Sequence, residues 1–176
     1  PRVAHGGLVF GLVLELLIKR FQDKPEHKAA VRDARRWVGV AHLDAGNFAS
    51  AAQAFEKLKD EYPTWIEVRR DLARCYESDA MKRFADAEKQ WRVIEETLTA
   101  GTPEWFEAKH HRISNLLSAN REDLAYGMLA ALAVPYPELG GDAWKPRFLE
   151  LVEKRFGKER ARQFAELQKQ IAAPAE

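Results

Sequence analysis

The side chains best suited to chemistry in this chain are the adjacent pair His110 and His111, the single cysteine Cys75 and the glutamate Glu107. Successive residues on a helix point about 100° apart, so His110 and His111 cannot share one metal ion. Glu107 and His110 have the Glu-x-x-His spacing of carboxylate-bridged di-metal bundles, yet such a site requires a second Glu-x-x-His and further glutamates on facing helices. The chain has no second copy. Cys75 lies between Arg74 and Tyr76, with only His42 as a candidate base, and reads as a packed, inert thiol. Gly6-Gly7 and Gly140-Gly141 are followed by no Gly-Lys-Ser/Thr and read as turn glycines rather than a phosphate loop. Trp37, Trp65, Trp91, Trp105 and Trp144 read as core and helix-start packing rather than a ligand cage. The expectation is a protein that is not an enzyme and needs no metal or cofactor.

Composition narrows the partners. The 176 residues carry 28 Lys and Arg against 27 Asp and Glu, a formal net charge of +1. That balance gives no global attraction to nucleic acid or anionic lipid. With 46% hydrophobic and 31% charged residues the chain belongs among folded domains, and one cysteine excludes a disulfide framework or a zinc finger. Leu8 to Ile18 reads LVFGLVLELLI, eleven residues with Glu15 inside, against the roughly 20 apolar residues that span a bilayer. Lys19-Arg20-Phe21 follow it where a signal peptide would place small residues, so neither a transmembrane span nor a secretory signal is expected. The opening Pro1-Arg2-Val3 lacks an initiator Met and reads as part of something longer. A cytoplasmic and an envelope-associated, periplasmic location both fit these features.

The elements that must position any site are helices. Ala (27) and Leu (18) dominate, whereas Val, Ile and Thr total 19 without period-two runs. Breaks are marked by Asp44-Ala45-Gly46-Asn47, Tyr62-Pro63-Thr64, Ala100-Gly101-Thr102-Pro103 and the stretch from Val134-Pro135 to Gly140-Gly141-Asp142. Between them apolar residues recur at helical spacing, as in Phe48, Ala51, Ala52, Phe55 and Leu58.

The spacing repeats. Ala51, Phe55 and Pro63 stand four and twelve residues apart from the first, after Val38-Gly39 and His42; Ala125, Leu129 and Pro137 repeat the interval, and so do Val13, Leu17 and Pro25. A middle copy uses Leu72-Ala73, Tyr76, Ala87, Trp91 and Ile94, with two extra residues in its turn. This pattern resembles the tetratricopeptide repeat, a helix-turn-helix of about 34 residues. The resemblance implies an all-α solenoid of helical hairpins: a half repeat with an N-terminal apolar helix at 1–25, repeats at 31–63, 66–103 and 105–137, and capping helices at 142–171, with Asp142 capping the first of them. The chain departs from the consensus where Arg35, Arg69 and Lys109 replace its Trp, and Arg112 its Leu. A narrower similarity, carried by Phe21 to Pro25, Ala29-Ala30 and Tyr62-Pro63, is to the tetratricopeptide proteins of bacterial envelope assembly.

The resemblance also implies a function: a scaffold or adaptor that takes a partner's peptide segment, acidic in one reading, on a concave face lined by the first helix of each repeat. Those positions fall on Asp33, Arg36, Val40, Leu43 and Asp44, then Glu67, Arg70, Arg74, Glu77 and Ser78, then Glu107, His110, Ser114, Leu117 and Ser118. Arg36, Arg70 and His110 would form a stacked basic ladder, each with an acidic neighbour three residues earlier in Asp33, Glu67 and Glu107. Arg70 and Arg74 are expected to grip a carboxylate. The Asn of the family's carboxylate clamp has no counterpart at Val40, Arg74 or Ser114. The alternative is a regulatory or spacer domain cut from a larger enzyme or sensor. An RNA-reading repeat would need a recurrent base-reading code, and none is present. The capping region carries eight Lys and Arg against four Glu between Ala143 and Ile171, a solvated face. Leu8 to Ile18 is apolar on every side, so a further helix, a second copy of the chain or a partner is expected to cover it.

Overall fold

The computed structural model describes residues 3–172, with side chains in the first helix described from Gly11 onward. Among the described residues there are nine α-helices and no strand. Their packing falls into two units, Pro1–Gln90 and Trp91–Glu176, whose boundary lies inside the fifth helix.

The first unit contains α1 (Val3–Phe21), α2 (Lys28–Asp44), α3 (Phe48–Glu61), α4 (Ile66–Glu77) and the start of α5 (Phe84–Thr97). Successive helices from α1 to α4 pack on one another. The α2–α3 turn works because Gly46 takes φ +76. Its N–H donates to Leu43 and the Asn47 N–H donates to His42, two bonds that satisfy the last carbonyls of α2 in a Schellman motif. The hairpin then closes on a small-against-large contact. Gly39 is buried, and a Cβ there would stand 2.6 Å from the Phe55 ring. Phe55, with Ala51, Ala52 and Leu58 of α3, joins Val68, Leu72, Cys75 and Tyr76 of α4 in one core.

The second unit contains the rest of α5, α6 (Pro103–Ser118), α7 (Glu122–Ala133), α8 (Lys145–Arg155) and α9 (Lys158–Ala172). Thr102 starts α6, its hydroxyl accepting from the Trp105 N–H, and Pro103 follows where no N–H is needed. Asn120, at φ +57, ends α6 with the same pair of bonds that Gly46 supplies in the first unit. Ile113 and Leu116 of α6 meet Leu129 and Leu132 of α7, and Phe148 and Phe164 bring α8 and α9 into the same core.

Three expectations need correction. Gly6 and Gly7 lie inside α1, which begins at Val3, because the apolar run propagates the helix back through both glycines. Asp142 caps nothing: Gly140 at φ +85 leads into a short 3-10 turn, Gly141–Ala143, and α8 starts only at Lys145. Trp37 sits mid-helix and is 49% exposed, so it is neither core nor helix-start packing. On α1, Leu12, Val13, Leu16 and Leu17 are exposed, while the side chains of Leu8, Val9 and Phe10 lie outside the described residues.

The Gly39–Phe55 contact makes a direct prediction. Gly39→Ala forces the Phe55 ring out of place and should destabilise the chain by about 1–3 kcal/mol, whereas Gly127→Ala, in a helix with nothing near its Cβ, should stabilise it by about 0.5–1 kcal/mol. Urea midpoints of the two variants check both signs.

Candidate functional site

The face that α2 and α4 share is organised by one ion pair. Arg36 of α2 donates through Nε to Asp71 Oδ2 of α4 at 2.9 Å, and its Nη2 stands 2.7 Å from the same oxygen. Asp71 is 5% exposed. Burial pushes its carboxyl above the usual carboxylate value, against the opposing pull of Arg36, Arg74 and Arg70. Three guanidinium groups from two helices thus act on one buried carboxylate.

This arrangement differs from pairing within each helix. Asp33 accepts from Arg32, at 2.9 and 2.7 Å, instead of from Arg36. The reason is reach: from its place on α2 the Arg36 side chain extends to α4, where a desolvated carboxylate outcompetes an exposed one. Asp71 was missed in sequence because its partner lies thirty-five residues away. The signal available was an acidic residue among otherwise core positions, Val68, Leu72 and Cys75.

Around this bridge lie the exposed groups. The Arg36 guanidinium stands 5.6 Å from the centre of the Trp37 ring, within cation–π range. Arg74 is exposed and lines a shallow groove with Leu43, Phe48, Glu77 and Ser78. Glu67 is exposed at the start of α4, and Arg70 is half-buried beside Asp71. The first unit therefore brings Asp33, Arg36, Glu67, Arg70 and Arg74 onto α2 and α4.

His110 and Ser114 belong to α6 of the second unit, both half-buried. The His110 ring packs edge-on against Phe148 at 5.4 Å, with Trp144 at 5.9 Å. Burial, then the neighbouring His111 and Arg147, pull its pKa down to about 4. His110 is accordingly neutral at neutral pH, which corrects its reading as a basic rung. His111 stacks on Trp91 at 4.1 Å, with the rings 10° from parallel. Cys75 is fully buried, and burial with the nearby Asp71 charge pushes its thiol up to about 12, far from a nucleophile's range. Among the described residues, no group of three His, Cys, Asp or Glu is placed to hold a metal ion. Among the described residues no helix is long and apolar enough to cross a membrane.

No family model, curated protein or solved structure matches this chain.

The neutral His110 predicts an acid-sensitive second unit. Its folded pKa, about 4, lies below its ordinary 6.5, so the unfolded chain binds the extra proton between those values. Stability is fully present above pH 6.5 and falls as pH drops towards 4, by up to about 3 kcal/mol. Denaturant unfolding across that window should show the loss in the native chain and a flatter profile in His110→Phe; equal slopes would contradict the assignment.

Proposed function

We propose that this chain is a non-enzymatic helical-repeat module of tetratricopeptide type, and that the α2–α4 face receives a segment of a partner protein. The observation that carries the reading is the Arg36–Asp71 bridge with Trp37 half-exposed beside Arg36 and Arg74 exposed on α4. A half-exposed tryptophan held beside arginines is the composition of an interaction hot spot: a rigid aromatic anchor next to a bidentate donor.

The chemistry of the segment follows from these groups. Arg74, exposed on α4, adds positive field at the face and suits a carboxylate, with Arg70 behind it beside Asp71. Trp37 suits an apolar or aromatic side chain a few residues away from that carboxylate. Glu67 and Glu77 flank the arginines and select against a uniformly acidic partner. The preferred segment is mixed, apolar with one acidic group.

Peptides selected by display against the folded chain, then measured by fluorescence anisotropy, test this face. Trp37→Ala, and Arg70→Ala combined with Arg74→Ala, should each weaken binding about tenfold or more. Arg162→Ala, 78% exposed on α9, should leave binding unchanged. Equal losses at both places, or no loss from the α2–α4 variants, would reject the proposal.

A further inference from the structure

A groove of about 380 Å³ runs along a different side of α2 from Arg36, with α1 and α3 as its walls. Ile18, Val38, Ala54 and Leu58 give it an apolar floor, while Glu15 on α1 and Lys57 on α3 charge its two walls. Packing contacts fix the heights of these charges. Arg35 pairs with Glu61 and Gly39 receives the Phe55 ring, so antiparallel α2 and α3 bring Lys57 level with Val38. Gly11 against Ala41 sets α1 on α2 and brings Glu15 to nearly the same level. Opposite charges therefore face each other across an apolar floor. Both are exposed, and among the described residues neither has an ion-pair or hydrogen-bond partner. The Arg35–Glu61 bridge stands at one end of the groove. Towards the other lies His42, whose Nδ1 is out of water with no hydrogen-bond partner; a buried polar atom left unmet is costly, and solvent does not reach this one.

We infer that this groove receives an amphipathic helix of a partner protein, with its apolar stripe on Val38, Ala54 and Leu58 and with oppositely charged edges, basic beside Glu15 and acidic beside Lys57. The inference does not rest on the α2–α4 face. Shape selects a helix. The groove follows α3 from Ser50 to Glu61, about 16 Å at the rise of a helix, or three turns of a partner laid along it. A trough between two helices with a third as its floor is the seat that apolar anchors at i, i+3, i+4 and i+7 fill. A second pocket, lined by Gly11, Leu12 and Ala41, continues the trough through the shared Glu15, Val38 and His42, so it stays open lengthwise instead of closing round a small molecule. Charge selects the edges. A helix with like charges on both edges meets one repulsive wall, whereas mixed edges meet two attractive ones. Turning the helix end for end exchanges its edges, so Glu15 and Lys57 also fix the direction in which it lies, as edge charges do in coiled coils.

Three dye-labelled synthetic peptides of about 18 residues, long enough to hold a helix, test it by fluorescence anisotropy with the whole chain. They share one leucine stripe and differ at its edges: lysine on one and glutamate on the other, lysine on both, or glutamate on both. The native chain should bind the mixed peptide about fivefold more tightly than either uniform one. Glu15→Lys makes both walls basic and should pass the preference to the glutamate-edged peptide; Lys57→Glu should pass it to the lysine-edged one. Both side chains are in water, so circular dichroism should show unchanged helicity. Ala54→Arg, which fills the floor, should abolish binding of all three peptides, and Trp37→Ala should leave it unchanged, which separates this groove from the α2–α4 face. Equal affinity for the three peptides, no binding up to about 1 mM, preferences that do not follow the two charge reversals, or a loss from Trp37→Ala in place of Ala54→Arg would each overturn the inference. So would sedimentation showing a dimer of the native chain that Ala54→Arg dissolves, since the groove would then hold a second copy.

Discussion

A carboxylate held nearly out of water organises the first unit of this protein. Asp71 stands on the core side of α4 between Val68, Leu72 and Cys75, where desolvation opposes its charge. The chain meets that cost with Arg36 from a different helix, and the resulting bridge ties α2 to α4. Buried ion pairs of this kind add little net stability, because desolvation offsets the attraction, while breaking one partner is costly. Its consequence is geometric. The bridge fixes α2 against α4, with Trp37 exposed beside Arg36 on α2 and Arg74 exposed on α4.

A second constraint is close approach of the paired helices. Gly39 admits the Phe55 ring at a distance no side chain would allow, so the α2–α3 hairpin is tight at its centre. Polar links then join neighbouring helices. Arg35 reaches Glu61 at 3.0 Å, Arg69 reaches Gln90 at 2.8 Å, and in the second unit Lys109 and Arg112 both reach Glu95 at 2.7 Å. Long charged side chains of this kind cover apolar surface with their stems while their heads find partners on a neighbouring helix.

The helical framework was legible in sequence because each interruption is enforced locally. Gly46 at positive φ, and Thr102 with Pro103, act through a few neighbouring residues, and the periodic Ala51, Phe55, Ala125 and Leu129 are buried as their spacing requires. Asn120 ends α6 as Gly46 ends α2, yet it is a weaker break signal in sequence, since asparagine adopts left-handed backbone less often than glycine. The face was less legible. Whether Arg36 turns to Asp33 or to Asp71 depends on which carboxylate is dry, a tertiary fact. His110 reads as basic from its register, but the burial that keeps it neutral comes with Phe148 and Trp144, which belong to α8 and the residue that opens it. Trp37 reads as packing in sequence because the pattern of α2 alone does not show which of its sides is left uncovered.

The central claim is that Arg36 and Asp71 act as one unit in holding α2 against α4. A double-mutant cycle on unfolding free energy, with Arg36→Met, Asp71→Asn and the combination, measures it. The account predicts a coupling energy of at least about 1 kcal/mol, with the double variant less destabilised than the single losses added together. Additive losses, with coupling below about 0.3 kcal/mol, would contradict it.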